Sequence, residues 1–350
     1  MNAPADLLTK KEAGIFTMAI PDQPTRWQQF LQRLRSQQWR GYVLIGVILY
    51  LVLVNQFIRV RPDHVFIALL LLALSLGRGR VKYFIVDWTP WILFWICYDM
   101  MRGVADNLRG AINILWPYET EMALFGRFFD GQLPNFFAQN WQIILRGSWV
   151  KGLLDASGGL FYTMHFGLPL LLGWVFWHTM DDRKMFYRFV WTITLLNFSA
   201  LATFILYPAA PPWYVYSYGF AQPEQIAHWG LGAGTLLDVD RMIGLHFFQT
   251  LWGGFNPNHF AAIPSLHGAY PIAVAFFTYK KFRRYPGLLA IYPLGVWFSA
   301  VYLNQHYIID LIIGAFYLMI AYLLTDRILL PYVFSRFIDW QPLRKREKEV

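Results

Sequence analysis

Eight long apolar runs, at about 43–58, 64–78, 83–100, 158–178, 187–207, 268–279, 287–303 and 307–325, leave this chain few ways to fold. A helix that crosses a bilayer needs about 20 mostly apolar residues, with a range of about 17–25. The fourth, fifth and eighth runs meet that length outright. The second and sixth are short enough to be buried or tilted, so a count of about eight spans is provisional. Of the 350 residues 57% are hydrophobic and only 15% charged, too little charge to coat a soluble globule of this size. The 19% aromatic content suits belts at two membrane interfaces. The expected fold class is all-α, a polytopic transmembrane helix bundle with interfacial amphipathic helices.

Charge gives the bundle an orientation. The formal net charge is +9, but the basic residues sit in short clusters between apolar runs. That pattern fits cytoplasmic loops bordering anionic lipid, and nucleic acid is not an expected partner. With the N-terminus in the cytoplasm, four clusters fall inside: Arg78, Arg80 and Lys82; Arg183 and Lys184; Lys280, Lys281, Arg283 and Arg284; and Arg344, Lys345 and Arg346. Arg59 and Arg61 are the exception. Both termini are then cytoplasmic. The long connections 101–157 and 208–266, with the turn before Tyr307, lie on the periplasmic or luminal face.

Two stretches look interfacial. Trp27, Phe30, Leu31 and Leu34 recur at helical spacing among Arg26, Arg33 and Arg35, which predicts a basic amphipathic helix over 25–40 on the inner leaflet. The segment 111–140 is too polar to span and too apolar for a free loop, and an outer interfacial helix pair is expected there. The single cysteine, Cys97, excludes an internal disulfide framework. The N-terminus does not read as a cleavable signal peptide.

The chemistry concentrates in two short motifs on the outer side. In His306-Tyr307-Ile308-Ile309-Asp310 the histidine and aspartate are four apart at the start of an apolar helix and share a face. A carboxylate there fixes the imidazole tautomer and raises its basicity, as a nucleophilic or basic histidine requires. In Pro264-Ser265-Leu266-His267, Ser265 can cap a helix, so that His267 sits in a first turn whose free N–H groups suit phosphate. A single histidine at a helix end is usually a solvated or capping residue. Two on the same side and at the same depth, one with an aspartate, point to function, because ionisable groups at the hydrocarbon edge are costly. Attack on a phosphoester is the chemistry indicated. No metal site and no cofactor are called for, since there is no His-x-x-x-His and no cysteine pair.

These motifs resemble the type-2 phosphatidic acid phosphatase superfamily and, within it, the branch of inositol phosphorylceramide synthase and its bacterial relatives. The likeness extends to Asp87-Trp88-Thr89-Pro90, Tyr98-Asp99 with Arg102-Gly103, Tyr162 with His165-Phe166, the block Tyr207 to Tyr214 that contains Trp213, and Asp238 to Gly244, over about residues 83–325. It departs from the phosphatases at two places. The Lys-x6-Arg-Pro pattern is matched only by Lys82 with Thr89-Pro90, and the Ser-Arg pair by Ser299-Ala300. Arg102 and Arg241 are the candidates to neutralise the phosphate in their stead. The block Pro208 to Tyr214 is expected to shape the mouth of the site, and His259 to border it.

The resemblance implies a six-helix catalytic core, His306 as nucleophile through a phosphohistidine, Asp310 as its orienting carboxylate and His267 as acid and base. Arg102, Arg241, Asp99, His165, Tyr162, Ser265 and Trp213 are then the phosphate- and substrate-binding candidates. It implies phosphatidylinositol as donor and a ceramide-like lipid as acceptor. The chain then divides into a cytoplasmic segment 1–42, a transmembrane catalytic domain 43–328 and a basic cytoplasmic tail 329–350. A lipid phosphatase with water as acceptor, a transferase of another headgroup, and a non-enzymatic transporter or scaffold are the rival readings. Self-association into a homo-oligomer is left open.

Overall fold

A computed structural model describes residues 41–54, 62–75, 78–108, 110–179, 183–226, 230, 232–255 and 258–334. The amphipathic stretch expected at 25–40, Arg59, Arg61 and the basic residues of the tail lie outside the described residues. Helices account for all eight apolar runs: α1 Gly41–Val54, α2 Pro62–Ser75, α3 Arg78–Leu108, α6 Trp149–Thr179, α7 Arg183–Leu206, α11 Leu266–Phe282, α12 Pro286–Tyr302 and α13 Ile308–Leu324. The connection 111–140 carries α4 Leu115–Phe125 and α5 Pro134–Ile144, the expected pair, with α5 running further than the sequence indicated. Three short helices, α8 Pro212–Tyr218, α9 Leu236–Ile243 and α10 Phe247–Phe255, fill the long connection before α11. No strand is found among the described residues.

Local chemistry sets the boundaries. Pro134, Pro212 and Pro286 open α5, α8 and α12, where a missing N–H costs nothing. Ser265 caps α11 by accepting from Gly268 N at 3.2 Å, and Lys280 and Lys281 in its last turn complement the helix dipole. Inside α6, Pro169 cannot bond to the carbonyl of His165 and its ring presses on it. The helix accordingly bends by 45° between His165 and Gly167.

Among the described residues two helices are long and apolar enough to cross a bilayer unaided: α7, and α13 with its π-helical continuation to Val333, at mean hydropathies of 1.8 and 2.2. The bent α6 makes a third if it counts as one span. The outer surface agrees. Leu288, Ile291, Leu294 and Phe298 on α12, and Ile312, Phe316, Met319 and Ile320 on α13, are exposed, while Ser299, Asp310 and Thr325 are fully buried. Polar inside and aliphatic outside reverses the soluble pattern and fits a hydrocarbon solvent.

α11 is central, packed on α6, α7, α12 and α13. At one end of the bundle the buried Asp87 accepts from Arg183 Nη2 at 2.8 Å, Tyr187 Oη at 2.7 Å and Trp177 Nε1 at 3.0 Å, joining α3, α6 and α7. Arg188 pairs with Asp326 at 2.6 Å and Lys280 donates to Tyr322 Oη at 2.6 Å, so the basic ends of α7 and α11 gather there. The His267 and His306 motifs lie at the opposite end.

That opposite end is organised by a close crossing of α11 and α13. A Cβ on Gly268 would overlap the backbone of Leu311, and one on Gly314 would overlap the carbonyl of Ser265. With the backbones this near, Ser265 N donates to Asp310 O at 3.1 Å. Gly268→Ala and Gly314→Ala are each expected to destabilise the protein by about 1–3 kcal/mol or more, read as a lowered unfolding temperature in detergent. A Gly287→Ala control, where nothing lies within 4 Å of the added Cβ, is expected to leave that temperature unchanged.

Candidate active site

The crossing sets the two motifs face to face. His306 Nδ1 lies 3.3 Å from Asp310 Oδ2, and His306 Nε2 lies 3.1 Å from His267 Nδ1. Donation of the Nδ1 proton to the carboxylate leaves the Nε2 lone pair of His306 directed at His267. Burial pulls the His306 imidazole down to about 3, partly offset by a hydrogen bond with the Ala262 backbone. The ring is therefore neutral near pH 7 and can act as a nucleophile.

His306 sits on a turn whose backbone is bonded to the end of α12. Asn304 takes the left-handed conformation at φ 61°, which asparagine tolerates after a helix C-terminus. Gln305 N and His306 N then both reach Ala300 O, at 2.9 and 3.1 Å. On the far side of the turn, Asp310 Oδ2 also accepts from Tyr307 N at 2.9 Å, so one carboxylate orients the imidazole and caps α13.

The α4–α5 pair closes the remaining contacts, and the sequence reading missed these residues. Glu121 on α4, fully buried, accepts from Ile308 N at 2.9 Å with one oxygen and Ile309 N at 3.1 Å with the other. From α5, Asn135 Nδ2 donates to His306 O at 2.9 Å and Val301 O at 3.0 Å. Gln142 and Gln139 donate to Tyr302 O at 2.6 and 3.2 Å. These bonds pair groups that helix ends otherwise leave orphaned. Their one sequence signal is polar residues within an apolar interfacial segment.

The two histidines open onto a cavity of about 450 Å³. Its head is polar, with Asp99, Asn258, His259, Gln305, His267 and His306. Its body is aromatic and aliphatic, with Trp91, Phe94 and Trp95 from α3, Leu170 from α6 and Phe204 from α7. Tyr162 stacks on the His267 ring at 4.0 Å between centroids, and the His165 ring centroid is 3.5 Å from that of His267. His165 Nδ1 is tied to Tyr162 O at 2.6 Å. Trp213 and Pro211 line the cavity as well. Their block is held by Ala209 N to Phe260 O at 2.9 Å, Ala210 N to Asn113 O at 3.0 Å and Trp213 N to Asn304 O at 3.0 Å.

The remaining candidates fall elsewhere. Ser265 is fully buried as the α11 cap and does not line the cavity. Arg241, expected in a loop, is on the last turn of α9. It is 77% exposed, ion-paired with Asp238 at 2.8 Å, and is not part of the lining. Arg102 lies within α3, and its side chain is outside the described set. Among the described residues that line the cavity there is no lysine or arginine.

A family model described as the PAP2 superfamily matches residues 139–324. The phosphoinositol dihydroceramide synthase of Bacteroides thetaiotaomicron is 31% identical over 278 residues, covering 78% of this chain and 86% of that one. The chain belongs to the PAP2 superfamily. The catalytic subunit of inositol phosphorylceramide synthase from Saccharomyces cerevisiae is 27% identical over 76% of this chain and 70% of its own length. Its counterpart in Schizosaccharomyces pombe is 25% identical over 78% and 61%. No solved structure matches. Within the superfamily this chain falls in the inositol phosphorylceramide synthase-like branch.

Asn135→Ala removes the shared side-chain donor to the Val301 and His306 carbonyls. It is expected to cost about 1–3 kcal/mol and to lower turnover, checked by thermal unfolding and by steady-state assay of the same preparation.

Proposed function

We infer that this protein is an integral-membrane phosphotransferase that moves phosphoinositol from phosphatidylinositol to a ceramide-like lipid and releases diacylglycerol. The observation that carries the chemistry is the Asp310–His306–His267 relay at the polar head of an otherwise apolar cavity. Likeness to the bacterial and fungal synthases supports the choice of headgroup and acceptor.

In the first half-reaction the Nε2 lone pair of His306 attacks phosphorus and the bond to the diacylglycerol oxygen breaks. The 3.1 Å contact between the histidines leaves no room for a phosphoryl group. The substrate therefore replaces that contact, and His267, as imidazolium, turns its proton toward the leaving oxygen. The anionic phosphodiester is what favours this protonated form. In the second half-reaction neutral His267 takes the proton of the acceptor hydroxyl, whose oxygen attacks the phosphohistidine and frees His306. Asp310 holds the tautomer and offsets the charge on His306 throughout. The α11 N-terminus adds partial positive charge beside the phosphate, and Arg102 remains the candidate cation.

The apolar body of the cavity suits the chains of lipids that never leave the bilayer. Eight spans with both termini in the cytoplasm put the basic helix ends inside and the histidines at the periplasmic or luminal face. The division into 1–42, 43–328 and 329–350 follows from that orientation.

Full-length protein in vesicles with headgroup-labelled phosphatidylinositol and ceramide is expected to form a labelled phosphoinositol sphingolipid, identified by mass spectrometry. His306→Ala and Asp310→Asn are each expected to lower the rate by at least roughly 100-fold, and His306→Ala to abolish label on the acid-quenched protein. Unchanged turnover in either variant excludes this assignment. Free inositol phosphate without a lipid product identifies a phosphatase instead.

A further inference from the structure

Glu121 serves a helix start that is distant in the sequence. It belongs to a helix 187 residues away from the turn it serves, is fully buried, and spends both oxygens on the first two N–H groups of α13. Those N–H groups, of Ile308 and Ile309, begin two residues after His306, and Asp310 is the next residue beyond them. The geometry thus clamps the α13 start between Glu121 on one side and the Ser265–Asp310 backbone bond on the other. We propose that Glu121 is a positioning residue, holding His306 and Asp310 in their reactive placement only while it is ionised, so that protonation of its carboxyl turns the enzyme down. This rests on the phosphotransfer reading above.

The surroundings sharpen the point. Facing Glu121 are Asp310 on α13 and Tyr307 on the turn, and Tyr307 in turn faces Tyr118 of α4. In the apolar cluster around Tyr307 the neighbours are the neutral Leu133, which precedes α5, and Phe136 on α5. No cation offsets the charge within this group. A carboxylate held by two backbone N–H groups at a helix start is ordinarily pulled down. Here burial first, and Asp310 after it, outweigh those bonds and push the group up to about 7 from 4.5. The linkage sign follows. Between about 4.5 and 7 the folded protein binds a proton that the unfolded chain does not, so this group makes the fold more stable as pH falls through that window. Activity is expected to move the other way, because a protonated carboxyl offers a weaker acceptor to the α13 start. A cap that served stability alone would show no such opposition.

The test uses full-length protein in vesicles, with kcat and KM measured from pH 5.5 to 8.5. Wild type is expected to lose kcat on the acid side with a midpoint near 7, with KM little changed. Glu121→Gln keeps the shape and removes the titration. Its kcat at pH 8 is expected to fall roughly 10- to 100-fold and its acid limb to vanish. Glu121→Asp, which keeps the charge, is expected to retain the limb. Hydrogen exchange at fixed pH on a peptide spanning 303–311 is expected to rise in Glu121→Gln, and this readout needs no substrate. An acid limb that persists in Glu121→Gln, a flat wild-type kcat profile, or unchanged exchange at 303–311 would each overturn the proposal. Wild type that makes no phosphoinositol lipid at any pH, with exchange raised in the variant, sinks the reaction assignment and leaves the clamp standing.

Discussion

Contact between the backbones of α11 and α13 is the constraint on which the rest of this structure depends. Two glycines, Gly268 and Gly314, remove the side chains that would hold the helices apart, and a direct bond from Ser265 N to Asp310 O follows. Small residues at such crossings are how helices approach closely where hydrophobic driving force between them is weak. The chemical result is that His267 and His306, from different helices, come within 3.1 Å without any long side chain having to reach. Positional precision here comes from rigid elements, the arrangement that catalysis by orientation requires.

Such a crossing exposes a problem at the bundle edge. α12 ends and α13 begins within a few residues, and both ends are buried, so carbonyls and N–H groups would be left without partners. The protein answers with α4 and α5. Asn135, Gln139 and Gln142 serve the carbonyls, and Glu121 serves the N–H groups. The pair therefore does more than lie at an interface. It completes the helix termini on either side of His306.

Legibility in the sequence follows the distance over which each feature is encoded. The eight helices were visible because hydrocarbon length is a local property of a run. Asp310 could be assigned to His306 because four residues on a helix fix a shared face, and Ser265 could be read as a cap for the same reason. Glu121, Asn135 and the glutamines were invisible, since their partners are backbone groups more than 150 residues away and backbone groups carry no sequence signature. Arg241 lies away from the cavity lining. Its charge invited a role in phosphate binding, but Asp238, three residues earlier on the same exposed helix turn, takes it up instead.

The bend in α6 bears on what the cavity can hold. Past His165 the helix axis turns by 45°, and Gly167 and Leu170 beyond the turn line the same cavity as Trp91, Phe94 and Trp95 of α3. The clearance between these walls is thus governed by an angle as well as by side-chain size. A replacement along either wall trims the space locally, whereas a change at Pro169, four residues past His165, acts on the direction in which the rest of α6 runs.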